Sequence, residues 1–101
     1  MADLPDPEFY TRSTAVIDLC NSQLTNVPED RVAASAAYAA ARFSVWATAN
    51  KALTSKELEG VRQQALDTFT AGYRQMLEYH FDDYVKNYNT YYAAVPRTVI
   101  R

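Results

Sequence analysis

The chain has 101 residues and a formal net charge of −2, room for one domain and no more. Ten Lys and Arg against twelve Asp and Glu, nowhere clustered, exclude the basic surface that nucleic acid requires. A single cysteine, Cys20, excludes an internal disulfide, and no apolar run approaches the roughly 20 residues of a membrane span.

The first helix is predicted to start near Asp6. Asp6 as N-cap, Pro7 at the first helical position and Glu8 in the first turn form a coherent start signal. Phe9, Ser13, Val16, Cys20 and Leu24, joined by Ile17, then recur every three or four residues. They make one apolar stripe to about Leu24. Cys20 lies in that stripe and reads as a small core hydrophobe, since no base or cation stands beside it in sequence. Thr25 to Pro28 is the connection.

A second helix is expected from about Glu29 to Asn50. Val32, Ala36, Ala39, Phe43 and Trp46 mark its apolar face. The alanine run from Ala33 to Ala41 keeps it slim on nearly every side, as in a helix with close neighbours. Arg42 falls in line with Ala39 and Trp46 at helical spacing. A charge beside a core needs a partner, with Asp18, Asp67 and Glu78 as candidates.

The third helix carries the sharpest local signal. Thr54-Ser55-Lys56-Glu57 fits a capping box, and Leu53 with Leu58 fits a hydrophobic staple. From Ser55 the apolar period runs to about Tyr88 or Tyr92. One row is Leu58, Val61, Ala65, Phe69, Gly72, Met76 and His80. An adjoining row is Leu66, Tyr73, Leu77, Phe81, Tyr84, Tyr88 and Tyr92. At about 34 residues this helix would span roughly 50 Å, against roughly 30 Å for each of the others. Its far end therefore outruns them. Either it breaks near Gly72 or Asp82-Asp83 and folds back, or another subunit covers it. Residues 1–5 read as a flexible N-terminus, 6–92 as a single helical domain and 93–101 as a tail.

Chemistry-bearing motifs are scarce. His80 is the one histidine, and a metal site usually needs three or four ligands. No glycine-rich phosphate loop and no nucleophile elbow occur. The eight tyrosines crowd toward the end, where an apolar body with a polar tip suits an interface. Arg74 and Glu78 read as a surface pair four residues apart.

The segment Val32-Ala33-Ala34-Ser35-Ala36-Ala37-Tyr38-Ala39-Ala40-Ala41-Arg42-Phe43, with Phe69 to Glu78, Asp82-Asp83-Tyr84 and the opening Glu8-Phe9-Tyr10, resembles a small bacterial family, the domain of unknown function numbered 3144. The resemblance covers about residues 6 to 90. It implies a short helical protein with no assigned activity, so no catalytic residue is carried over.

The resulting expectation is an all-α three-helix bundle with a long third helix. No cofactor is assigned. The favoured function is a non-enzymatic interaction or adaptor protein, homodimeric and cytoplasmic, since the N-terminus lacks the basic and apolar succession of a signal peptide. A small-molecule or metal-binding module built on His80 and the tyrosines is the alternative. The candidate surface comprises Tyr38, Arg42, Leu77, His80, Phe81, Tyr84 and Tyr88.

Overall fold

Asp6 organises the start of the chain from outside the first helix. The structure, a computed structural model, describes residues 6–92; the expected N-terminus 1–5 and tail 93–101 lie outside that range. Asp6 Oδ1 accepts from the Glu8 amide at 3.0 Å, and its carbonyl accepts from the Phe9 amide at 3.0 Å. Pro7 and Glu8 are thereby held in a turn, and the first helix, α1 (Phe9–Ser22), begins later than the cap signal suggests. The Arg12 guanidinium donates to Asp6 Oδ2 at 2.8 Å and, with the Glu8 amide, holds that carboxyl below its usual range. Both side chains are exposed, so the pair stabilises little. Of the predicted stripe, Phe9, Ile17, Cys20 and Leu24 are half-buried, while Ser13 and Val16 face solvent.

Asn26 adopts a left-handed backbone, φ 69°, which asparagine tolerates better than most residues. The chain reverses there into α2 (Glu29–Ala49). Glu29 and Asp30 in its first turn complement the helix dipole. Val32, 5% exposed, is the buried hydrophobic residue among those described. Ala36 follows it, half-buried, one turn on. The predicted face does not continue from there. Ala39, Phe43 and Trp46 are exposed, and the last two stack on each other with ring centres 5.2 Å apart. The half-buried residues in this part of α2 are instead Ser44, Ala47, Thr48 and Ala49. The reason is geometric: α1 and the third helix both contact α2 and do not contact one another. The covered stripe therefore shifts round α2 along its length. Most of the alanine run is left exposed.

The capping box at the start of α3 (Ser55–Lys86) forms with a shift of partner. The Glu57 amide donates to Thr54 Oγ1 at 3.1 Å. Glu57 Oε1 accepts from the Leu53 amide at 2.9 Å, one residue before the cap itself. The hydrophobic staple does not form, because Leu53 is 89% exposed. α3 then runs unbroken through Gly72 and Asp82-Asp83 for 32 residues. That is about 48 Å at the standard rise, and it sets the longest dimension of the molecule, 53 Å. A short helix, α4 (Tyr88–Tyr92), closes the described chain. The all-α architecture holds: 83% of the described residues are helical and none is in a strand. The order is serial, with each helix touching its chain neighbour.

Candidate functional site: the apolar face of α3

The first half of α3 is partly covered by its own chain. Leu58 and Ala65 are half-buried, and Thr48 at the end of α2 and Ala52 just after it share a surface hollow with Val61, Ala65 and Phe69. Beyond Phe69 nothing from α1 or α2 follows. Leu66, Phe69, Tyr73, Met76, Leu77 and Phe81 are each between 43% and 70% exposed. Leu66, Tyr73 and Leu77 lie seven and four residues apart, so they stand in one row. Phe69 and Met76 form its flank.

The far end of α3 is closed locally by α4. Asn87 Nδ2 donates to the Asp83 carbonyl at 3.2 Å and to Asp83 Oδ1 at 2.8 Å. The Tyr91 hydroxyl donates to the other carboxylate oxygen, Oδ2, at 2.8 Å. Tyr84 lies against Tyr91 and Tyr92 with centroids 4.8 and 6.5 Å away, and Tyr88 lies 4.9 Å from Tyr92. Burial, then the nearby Tyr92 and Asp83, push the Tyr84 hydroxyl pKa up. The hydrogen bond to Asp83 is the chief cause that raises that of Tyr91. The break anticipated at Gly72 or Asp82-Asp83 does not occur; the helix is interrupted only at Asn87, and the five-residue α4 follows. It covers Tyr84 and leaves the row from Leu66 to Phe81 untouched. Sequence reasoning missed the Asp83–Asn87–Tyr91 network. Its signal was an asparagine after Lys86, a residue suited to helix ends, four residues beyond an aspartate.

The other candidates separate. Tyr38 and Arg42 stand exposed in the middle of α2, before the turns that meet α3. The expected carboxylate partner of Arg42 is not found among the described residues. Asp67 accepts instead from Gln63 at 3.0 Å, and Glu78 pairs with Arg74 at 3.5 Å on the surface. Arg42 needs no partner because its face of α2 is solvated. His80 is exposed and meets Tyr79 edge-on at 5.2 Å. No three His, Cys, Asp or Glu residues gather as a metal site among the described residues.

The exposed surface is larger than that of a compact monomer of this mass. The chain exposes 9122 Å², against about 5,800 Å² expected of a compact 11.4 kDa monomer. The residues outside 6–92 can contribute at most about 2,300 Å², the surface of a fully unfolded segment of their length. At least about 1,000 Å² of excess therefore belongs to the helices. A standard protein interface removes about 800 Å² per partner.

The model of a family described as protein of unknown function (DUF3144) matches residues 9–85. Among solved structures, the chain is similar to the NMR structure of the protein NB7890A from Shewanella sp.. The TM-score is 0.72 at 29% identity, over 91% of this chain and 98% of that one. No curated protein matches the chain. Among the described residues, no helix is long and apolar enough to cross a membrane.

Proposed function

The chain belongs to this family of unknown function, and on that footing we propose that it is a non-enzymatic helical interaction protein that works as a homodimer. The observation that carries the reading is the uncovered apolar row Leu66–Tyr73–Leu77 on a helix that its own chain covers at both ends. A second copy laid on this row, with His80 and Phe81 at its margin, removes the excess surface. An apolar strip of this length is unusual on a monomer. Tyrosine at its centre matches the composition of interface cores. Similarity to a Shewanella protein supports a bacterial source, and the lone, half-buried Cys20 suits a reducing cytoplasm.

Light scattering on the full chain tests the reading. The wild type is expected at twice 11.4 kDa at concentrations of tens of micromolar. Changing Leu66→Asp together with Tyr73→Asp is expected to return it to 11.4 kDa with helicity retained, since neither side chain is buried. A wild type that stays at 11.4 kDa throughout defeats the proposal.

A further inference from the structure

The middle of α2 is uncovered as well, and it is uncharged. The stretch from Val32 to Ala41 holds no charged side chain, although a solvated helix face is normally polar. Ala34, Tyr38, Ala41 and Val45 recur at spacings of four, three and four, the spacing of a seam between paired helices. They stand on the far side of α2 from Val32 and Ala36, its covered stripe. Tyr38 is 75% and Val45 56% exposed, and both alanines are exposed. We propose that this row is a second seam of the homodimer, packed antiparallel on the same row of the second copy, so that α2 and α3 of each chain together form a four-helix core. This seam presupposes the homodimer proposed above and supplies the surface that completes its contact.

Area, direction and shape favour the second copy as the occupant. The helices carry at least about 1,000 Å² of excess surface. The α3 row from Leu66 to Phe81 is about 22 Å long and a helix about 10 Å wide, a footprint of roughly 220 Å². A second copy laid on that row therefore removes the excess only if it reaches α2 too. The two rows lie on one side of the chain. Helices α2 and α3, about 31 and 48 Å long, fit within 53 Å because the chain reverses between them. Thr48 and Ala65 line the hollow where they meet. At about 100° per residue, the α2 row lies about 50° round from Thr48, and the row Leu66–Tyr73–Leu77 about 100° round from Ala65, in the same sense. For helices running in opposite directions, the same sense turns both rows to the same side. In shape, antiparallel pairing sets large against small. Tyr38 meets Ala41 of the second copy and Val45 meets its Ala34, the alternation that lets facing helices interdigitate. Parallel pairing would instead set Tyr38 against Tyr38.

Photo-crosslinking of the full chain, with light scattering on the same samples, tests this. Tyr38 is replaced by benzoylphenylalanine, the protein is irradiated, and adducts are mapped by mass spectrometry. The expected result is a product of twice 11.4 kDa with the attachment within Ala34 to Val45. Ala41→Arg places a good helix former at an exposed position. It is expected to raise the dimer dissociation constant about tenfold and to remove the adduct, with circular dichroism unchanged. A dimer that gives no adduct, adducts on α1 or α3, or adducts only within single chains overturns the second seam and leaves the homodimer standing. A dissociation constant indifferent to Ala41→Arg does the same. A wild type at 11.4 kDa at every concentration defeats the homodimer and this seam with it.

Discussion

The two halves of α3 carry the same apolar period and have different fates. In the first half, Leu58 and Ala65 are half-buried near the end of α2, and the helix is anchored by Thr54 and Glu57. In the second half, the same spacing in Tyr73, Leu77 and Phe81 meets nothing until Tyr84 reaches α4. Helical periodicity reports that a face is to be covered; it carries no information about which chain covers it. The molecule is thus fastened at both ends of its longest helix and open between them.

The contrast between the halves can be broken by making the open half pointless. Leu66→Asp with Tyr73→Asp is expected to weaken self-association by at least about 100-fold, the scale of losing central interface anchors. The melting midpoint of the wild type is expected to rise with chain concentration, and that of the double variant to be independent of it. Thermal melts over a hundredfold concentration range check this.

Covered positions are expected to respond without any change in assembly. Val32→Ala removes two methyl groups from the buried position near the start of α2. It is expected to lower stability by about 2 kcal/mol, read by urea denaturation at fixed chain concentration. Thr54→Ala deletes the acceptor for the Glu57 amide and is expected to cost about 1 kcal/mol. A capping loss that disappears in the same assay shows that the start of α3 is held by packing instead.

The smallest effect concerns the closed far end. The folded-state pKa values of Tyr84 and Tyr91 are raised above the ordinary 10.0. Raised pKa values mean that the neutral hydroxyls are favoured in the folded state. Their contribution is complete below pH 10 and fades as pH rises through the raised values. An alkaline absorbance titration is expected to show these two hydroxyls ionising above the ordinary tyrosine value. Tyr91→Phe is expected to remove one late step and leave the mass of the assembly unchanged.

Much of this was legible in the residues. The proline-free interval from Glu29 to Val95 and three periodic stretches specify three main helices, and the capping box places the start of α3 to the residue. Three features were not legible. Leu53 satisfied the staple pattern and is exposed, because a local motif cannot fix the direction of the chain arriving at it. Phe43 and Trp46 continued the stripe of Val32 and are exposed, because α1 and α3 approach α2 on different sides. Arg42 was read as core-adjacent for the same reason. The candidate site was half legible: Leu77 and Phe81 lie on the open face, while Tyr84 is engaged by α4 and Tyr88 belongs to it, a helix the period alone did not separate from α3.

The measurement that bears most directly on the account is an isotope-filtered nuclear Overhauser experiment on a mixture of labelled and unlabelled full-length chains. Intermolecular contacts are expected from the ring of Tyr73 to the side chains of Leu66, Leu77 or Met76 of the other copy, and none to Val32. Contacts confined to single chains, at concentrations of hundreds of micromolar, would contradict it.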